Sequence, residues 1–199
     1  HMHDGRRITD AATLEIAVMA YAGLANKKIT ASLQAKGVNS CGLSGCDMGI
    51  VLSHLRPVGD IDWGYGGAIE KVNAEAIPCC LGAGILPVIS PITFDSSGQL
   101  LNTNADSVAS GVAEALAAAD EVEMVFCLDK PGVLLDVEDD ASAIPEINPG
   151  SFSNLRAEGK VHSGMIPKLQ NAFALTEAGV SRVRITNVEN LSGGTIVVR

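Results

Sequence analysis

The sequence predicts an α/β protein with an open, mainly parallel sheet covered by helices on both faces. Strand-like apolar runs alternate along the chain with segments of helical periodicity, and glycine and proline stand between them. Right-handed crossovers between such alternating elements place neighbouring strands parallel to each other. Of the 199 residues, 47% are hydrophobic but only 4% are aromatic. The interior is therefore expected to consist of Ala, Val, Ile and Leu, with many glycines.

The first predicted element is a long helix. Thr9 or Asp10 can cap its start, and apolar residues recur at three- and four-residue steps from Leu14 to Leu33, until Gly37 ends the pattern. So long a helix is unusual in a chain of this size. A kink near residues 23–26, or use of the helix as a dimer face, would explain its length.

The elements that follow in the first half are short. Residues 38–43 predict a strand, and extended segments at 49–55 and 67–72 flank the glycine-rich stretch 62–67, which suits a hairpin. Asn73 can cap a short helix. The remaining elements of this half are a buried strand over 85–91 and a turn over 93–98.

The second half continues the alternation of helix and strand. Residues 107–119 predict a helix, and an apolar strand follows over 122–129 with a turn at 130–133. Pro167 marks the first turn of a further helix, because its fixed φ suits that position. The last predicted elements are this helix, over 169–179, and strands over 182–186 and 195–198.

Polar residues are concentrated where the helix over 107–119 begins. Asn102, Asn104 and Asp106 all precede its apolar periodicity. One interpretation is structural, since an Asn N-cap with a nearby Asp satisfies the free N–H groups and the dipole of a helix. The alternative is a ligand site at the mouth of the sheet, where crevices between strands and helices hold ligands.

Two further charged residues occupy similar positions in the second half. Asp129 ends an apolar strand before a glycine turn, which suits either a nucleotide site or a solvated loop. Lys168 lies in the first turn of a helix, where a cation costs about 0.3–1 kcal/mol unless an anion offsets it. A bound phosphate would supply that anion. We expect these junction residues to converge along one edge of the sheet.

Charge and composition exclude some functions and favour a cytoplasmic protein. The formal net charge of -9 argues against a nucleic-acid surface, because phosphate backbones require a basic face. The sequence contains no apolar run of membrane-spanning length and no recognisable signal peptide, so we expect no membrane partner and a cytoplasmic location. The five cysteines lie in apolar segments without paired spacing and are predicted to be reduced core residues.

Several motifs in a fixed order carry a family resemblance. In one-letter code they are GRRITD at 5–10, GLSG at 42–45, PVISP at 87–91, NTNAD at 102–106 and GMIPK at 164–168. Over nearly the whole chain, this combination resembles the acetylglutamate kinases of the amino acid kinase family. The sequence LDKPGV at 128–133 is similar to the form found in Bacteroides-like bacteria.

The resemblance implies a fold, a reaction and roles for individual residues. It implies the amino acid kinase fold, and phosphorylation of the γ-carboxylate of N-acetyl-L-glutamate by ATP in arginine biosynthesis, with Mg²⁺ held mainly by the nucleotide. Arg7 would bind the α-carboxylate, and Asn102 and Asn104 would line the amino-acid pocket. Asp106 would orient the catalytic lysines, and Lys168 would stabilise the transferring phosphoryl group.

The resemblance also implies a nucleotide pocket, two lobes and a dimer. The nucleotide-binding residues would be Leu128, Asp129, Lys130, Pro131, Gly132, Val133, Lys160, Val161, His162, Gly164 and Met165. Residues 1–92 would form the amino-acid-binding and dimerisation lobe, and residues 93–199 the nucleotide-binding lobe. The helical region 10–36 would form a homodimer interface, and no metal ion would be held by protein side chains alone.

The sequence departs from the family at its glycine loops. Family members carry Lys-x-Gly-Gly on their first strand and His-Gly-Gly-Gly after their second, and neither motif occurs in the 199 residues. We expect the chain to be N-terminally incomplete relative to the family and the full-length protein to be the enzyme. Alternatives are an N-succinyl-L-glutamate kinase, another kinase of this fold, and a non-catalytic nucleotide-binding or oligomerisation fragment.

Overall fold

The computed structural model describes residues 2–3, 6–161 and 164–199. Its α-helices are α1 (Ala11–Ala17), α2 (Asn26–Ala35), α3 (Ala76–Gly82), α4 (Ala105–Ala117), α5 (Pro149–Ala157) and α6 (Ile166–Glu177). The strands of the first half are β1 (Met2–His3), β2 (Arg6–Arg7), β3 (Ser40–Ser44), β4 (Val51–Leu55), β5 (Gly67–Val72), β6 (Leu86–Ser90), β7 (Ile92–Phe94) and β8 (Leu100–Asn102). Those of the second half are β9 (Glu123–Leu128), β10 (Glu146–Ile147), β11 (Arg182–Asn187) and β12 (Thr195–Val197). The α/β class is confirmed.

The chain divides into two compact units. Unit 1 is His1–Val112 and unit 2 is Ala113–Arg199. The boundary falls inside α4, whose Val108 packs in the core of unit 1 and whose Ala113 packs in the core of unit 2. The functional lobes expected at 1–92 and 93–199 stay a prediction.

The first helix follows the predicted pattern but contains a wider turn. Asp10 is the N-cap, and its carboxylate accepts a hydrogen bond from the backbone N–H of Thr13 at 2.7 Å. This bond lowers the pKa of Asp10. Between α1 and α2 the chain is π-helical over Val18–Ala25, which the sequence did not predict. The kink expected near residues 23–26 stays a prediction. The helix ends at Ala35 with Lys36 as its C-cap, before Gly37 adopts a φ of 80°.

Unit 1 combines parallel and antiparallel pairs around a small aliphatic core. β3 pairs in parallel with β6, and a four-stranded sheet runs in the order β5-β4-β7-β8. The predicted hairpin is confirmed, since β4 and β5 pair antiparallel. The predicted turn over 93–98 is wrong at its start, because Thr93 and Phe94 belong to β7, which forms a hairpin with β8. Ile50, Val51, Ala76 and Val108 form the buried centre.

Unit 2 is a sheet in the order β10-β12-β11-β9 with helices packed against it. β9 and β11 pair in parallel over their whole length, while β11 and β12 are antiparallel. α5 was not among the predicted elements, although Asn148 and Ser151 form a capping box around Pro149. Phe152 of α5 lies against Phe173 of α6 with ring centroids 5.5 Å apart.

The structure corrects the expectation for the cysteines. Cys46, Cys79 and Cys127 are exposed and Cys41 and Cys80 are half-buried, all as free thiols. The prediction of core cysteines is therefore wrong, because apolar sequence neighbours do not determine which way a side chain points. Among the described residues, no helix combines the length and apolar character needed to cross a membrane.

Candidate functional site

Unit 1 contains an open cavity of 440 Å³, here named the unit 1 pocket. Its lining residues are Arg7, Tyr21, Arg56, Trp63, Gly66, Gly67, Pro91, Asn102, Thr103, Asn104 and Ala105. All three predicted substrate residues, Arg7, Asn102 and Asn104, are thus brought together. The described lining contains two arginines and no acidic residue. The pocket therefore suits an anionic ligand with groups that accept hydrogen bonds from amides.

The two asparagines of this pocket make different contacts. Asn102 donates from its side-chain amide to Thr9 Oγ1 at 3.0 Å, and its backbone N–H donates to the carbonyl oxygen of Tyr65. Asn104 accepts a hydrogen bond from the backbone N–H of Ser107 at 3.0 Å. Asn104 therefore caps α4, as the structural interpretation of this motif predicts. Asn102 and Asn104 also both line the unit 1 pocket.

The loop between β4 and β5 forms one wall of the unit 1 pocket. The guanidinium carbon of Arg56 lies 5.7 Å from the centroid of the Trp63 ring, within the range of a cation–π interaction. The backbone N–H of Arg56 donates to the carbonyl oxygen of Gly66 at 2.8 Å, which closes the loop. The loop is also bonded to Thr9, which accepts from the N–H of Tyr65 at 2.7 Å.

Glycines form the surface between this wall and the asparagines. Gly67 is buried, and a Cβ at this position would overlap Thr103 Oγ1. Thr103 Oγ1 is in turn hydrogen-bonded to Thr93 Oγ1 at 2.6 Å. A side chain at Gly67 would thus displace a buried hydroxyl pair behind the pocket.

Unit 2 contains a second cavity, of 280 Å³, here named the unit 2 pocket. It is lined by Leu128, Asp129, Lys130, Gly132, Val133, Leu134, Val137, Val161, Gly164, Met165 and Lys168. Most of the predicted nucleotide-binding residues are therefore brought together, and Lys168 lies with them. The walls are largely aliphatic, which suits a flat ring, and Lys168 in the first turn of α6 adds a cation.

The turn after β9 is held by the last strand. The backbone N–H of Val133 donates to Thr195 Oγ1 at 2.9 Å, and that hydroxyl donates to the carbonyl oxygen of Ile144 at 2.6 Å. A Cβ at Gly132 would come within 2.8 Å of Thr195 Oγ1, so this position favours glycine. The glycine at position 132 therefore allows this turn to lie close to β12.

Lys130 connects the unit 2 pocket to the acidic loop that follows it. Its ammonium lies 2.9 Å from Asp140 Oδ1, and this hydrogen bond raises the pKa of Lys130 above its usual value. Between these residues, Leu134 and Val137 of the loop also line the pocket. Lys130 therefore holds in place a segment that contributes two apolar wall residues.

Not every predicted site residue lies in a pocket lining. Lys160 forms an ion pair with Glu158 at 2.8 Å, and Pro131 is absent from the described lining. Asp106 lies in the first turn of α4, next to the lining residue Ala105. His162 lies outside the described residues. The roles assigned to these four residues, like those of the other predicted site residues, stay predictions.

The sequence did not indicate every lining residue. Tyr21, Arg56 and Trp63 reach the unit 1 pocket from segments far apart in the chain. The glycine-rich stretch around Trp63 was the available signal, because such loops pack closely against other backbone. Leu134 and Val137 of the unit 2 pocket were also missed, and apolar residues within an acidic loop were the signal there.

Comparison with known proteins supports the resemblance. Residues 1–187 match the sequence model of the amino acid kinase family. The chain belongs to the amino acid kinase family. It is 50% identical over 198 residues to an acetylglutamate kinase from Phocaeicola vulgatus, a match that covers 98% of this chain and 77% of that relative. An acetylglutamate kinase from Parabacteroides distasonis is 48% identical over 193 residues, covering 97% of this chain and 76% of the relative.

A solved structure from another organism has a similar fold. The crystal structure of smu.665 from Streptococcus mutans UA159 matches this chain with a TM-score of 0.82 and 25% sequence identity. The match covers 100% of this chain and 76% of the smu.665 chain. The predicted similarity to acetylglutamate kinases of the amino acid kinase family, in a form resembling that of Bacteroides relatives, is thus confirmed.

Proposed function

We propose that this chain carries the acceptor and nucleotide pockets of a kinase that phosphorylates the γ-carboxylate of N-acetyl-L-glutamate with ATP. This reaction is a step of arginine biosynthesis. The proposal is carried by relatives named acetylglutamate kinase that are about half identical to nearly the whole chain. In the reaction, a γ-carboxylate oxygen bonds to the γ-phosphorus of ATP while the bond from that phosphorus to ADP breaks.

The unit 1 pocket is the proposed acceptor site. Arg7 is an exposed guanidinium in its lining and would bind the α-carboxylate through two N–H groups. Asn102 and Asn104 would supply amide contacts to the N-acyl group and the side chain of the substrate. The γ-carboxylate is already ionised at neutral pH, so the attack needs alignment rather than a general base.

The unit 2 pocket is the proposed nucleotide site. Lys168 would lie against the transferring phosphoryl group, where positive charge stabilises the negatively charged oxygens of the transition state. Asp129 is the one carboxylate in the described lining. Mg²⁺ is commonly bound by one or two carboxylates together with nucleotide phosphates, so this lining fits an ion held mainly by ATP. When bound, the ion neutralises phosphate charge.

A coupled assay of ADP release by the complete gene product tests the proposal. We expect ADP release that requires N-acetyl-L-glutamate and saturates with it, and no release with L-glutamate. Calorimetry separates the alternative of a non-catalytic module. A binding module would bind ATP without turnover, or bind neither ligand, and absence of turnover in the complete protein would reject the kinase.

A second candidate substrate is favoured by Arg56. The unit 1 pocket has a second guanidinium in its lining, that of Arg56, which lies over the Trp63 ring. N-succinyl-L-glutamate has a third carboxylate at the end of its acyl group, which Arg56 would bind. The ratio of kcat/KM for the two acyl-glutamates decides between them. If succinyl is preferred, Arg56→Met should lower kcat/KM for N-succinyl-L-glutamate more than kcat/KM for N-acetyl-L-glutamate.

We also propose that the chain forms a homodimer through the helical region 10–36. Large apolar side chains there are exposed, including Met19 at 63%, Ile16 at 62% and Leu24 at 60%. Exposed apolar patches of this kind mark association surfaces. Sedimentation should give twice the monomer mass for the parent, and a monomer for Leu24→Glu. A parent that sediments as a monomer at all concentrations would reject this interface.

A further inference from the structure

One buried amide of the first helix bonds two strands of unit 1. Asn26 is the first residue of α2 and is 3% exposed. Its Nδ2 donates to the carbonyl oxygen of Leu43 on β3 at 3.1 Å and to that of Val88 on β6 at 2.7 Å. β3 and β6 are adjacent parallel strands; Leu43 lies near the carboxyl end of β3, and Val88 lies in the middle of β6. A single side chain thus fixes the helix against both strands.

Beyond these contacts, β6 leads directly to the unit 1 pocket, and β3 leads to a residue that is bonded to the segment after β6. Pro91 follows β6 directly, lines the pocket, and accepts a hydrogen bond from the backbone N–H of Thr103 at 3.0 Å. β3 leads to Gly45, whose N–H donates to the carbonyl oxygen of Ile92 at 2.6 Å. The two strands that Asn26 bonds are therefore joined again at residues 91–92. Those residues in turn hold the segment 102–104, which contains both pocket asparagines.

The contacts of Asn26 are not those expected of a residue that serves stability alone. Within the described part of the chain, Asn26 Oδ1 is buried without a hydrogen-bond partner. A buried acceptor without a donor destabilises the folded state, so stability alone does not account for an amide at this position. Gly42 also accommodates the amide, because a Cβ at that position would overlap Asn26 Oδ1.

The π-helical segment connects Asn26 to a residue of the pocket. The backbone N–H of Asn26 bonds to the carbonyl oxygen of Tyr21, five residues earlier, as in a π turn. Tyr21 lines the unit 1 pocket. The helix therefore reaches the pocket directly through Tyr21 and indirectly through the two strands that Asn26 bonds. π turns occur frequently at functional sites.

We propose that Asn26 is a positioning residue of the unit 1 pocket. It fixes the helix against β3 and β6 and so maintains the spacing between Tyr21, Pro91 and segment 102–104 that an N-acyl-glutamate requires. This inference rests on the proposed function of that pocket. It predicts that loss of the Asn26 amide weakens substrate binding in addition to stability.

The test compares Asn26→Leu with a matched control at the other end of β3. Gln34 of α2 also donates from its side-chain amide to a strand carbonyl, that of Ser40, at 2.9 Å. Both leucine variants should lower the urea midpoint. Only Asn26→Leu should raise the calorimetric Kd for N-acetyl-L-glutamate, by about 10- to 100-fold, because small misplacements of binding groups have effects of that size. In the assay it should raise the KM for the acyl-glutamate, with the KM for ATP unchanged.

The possible outcomes separate this inference from the function on which it rests. If the parent binds N-acetyl-L-glutamate and Asn26→Leu binds it as tightly as Gln34→Leu does, Asn26 is a structural residue only. If the parent binds no N-acyl-glutamate, the proposed function fails and this inference fails with it. If Asn26→Leu does not fold, Asn26→Ser is measured instead. Serine keeps a hydrogen-bond donor on a shorter side chain, and this variant should also raise the Kd and KM for N-acetyl-L-glutamate with the KM for ATP unchanged.

Discussion

The two pockets of this chain are built in different ways. The unit 1 pocket draws its lining from segments between Arg7 and Ala105, across nearly the whole of that unit. The described lining of the unit 2 pocket comes from two stretches, 128–137 and the residues Val161, Gly164, Met165 and Lys168. The first therefore depends on how distant segments pack together. The second depends on a strand-to-turn junction and the start of a helix, which are local structures.

The pockets also differ in what they present to a ligand. The described lining of the unit 1 pocket contains two guanidinium groups, amides and aromatic rings, whereas that of the unit 2 pocket is mostly aliphatic with two lysines and one carboxylate. A small polyanion suits the first lining, and a ring with an attached phosphate chain suits the second. If this comparison is correct, substitutions in one pocket should affect one ligand and leave the other unchanged.

The largest effect is expected at Lys168. Lys168→Ala should lower kcat by about 10²-fold or more, because removing a preorganised group that stabilises transition-state charge commonly has an effect of this size. The Kd for N-acetyl-L-glutamate should stay the same, since Lys168 belongs to the unit 2 pocket. ADP release and calorimetry measure the two quantities. A full-rate Lys168→Ala enzyme would contradict the proposed role.

The next largest effect is expected at Arg7. Arg7→Met should raise the Kd for N-acetyl-L-glutamate by about 10- to 100-fold, because hydrogen bonds to a charged group contribute about 1.5–3 kcal/mol. The Kd for ATP should not change. Arg7→Lys keeps the charge but loses the paired N–H geometry, and it should restore only part of the affinity. Equal weakening of both ligands would mean that the pockets are not independent.

The same difference in construction explains what could be predicted from sequence. The fold class, most element positions and most of the unit 2 lining were predicted, because each depends on residues close together in the chain. Tyr21, Arg56 and Trp63 were missed, because contact between segments so far apart has no local signal. For the same reason Asn26 was not recognised, although its helix was predicted correctly.

The errors in the predicted elements have local causes. Residues 93–98 were interpreted as a turn because the sequence DSSG at 95–98 favours one, and the short strand β7 before it was overlooked. α5 was missed even though Asn148, Pro149 and Ser151 form a recognisable helix start. The low apolar content of α5 concealed its periodicity.

A smaller effect is expected from paired substitutions of helix caps. Asn104 caps α4 and lines the unit 1 pocket, whereas Asn148 caps α5 outside the described pocket linings. Asn104→Ala and Asn148→Ala should each lower the free energy of unfolding by about 1 kcal/mol, measured with urea. Only Asn104→Ala should also weaken binding of N-acetyl-L-glutamate. If both bind it like the parent, Asn104 is a cap and not a binding residue.

The smallest effect is expected from the ion pair between Lys130 and Asp140. Because the pair raises the pKa of Lys130 in the folded state, it stabilises that state at pH values below the ordinary lysine pKa. That contribution is lost as the pH rises through the raised pKa and the ammonium loses its proton. Both side chains are exposed, so the gain is small and salt weakens it.

Lys130→Met should therefore lower the urea midpoint slightly at neutral pH, and the difference from the parent should vanish at strongly alkaline pH or in high salt. Because Lys130 also holds the loop that bears Val137, its loss should weaken nucleotide binding without changing the Kd for N-acetyl-L-glutamate. If the midpoint difference grows with pH instead of shrinking, the contact with Asp140 is not what stabilises the loop.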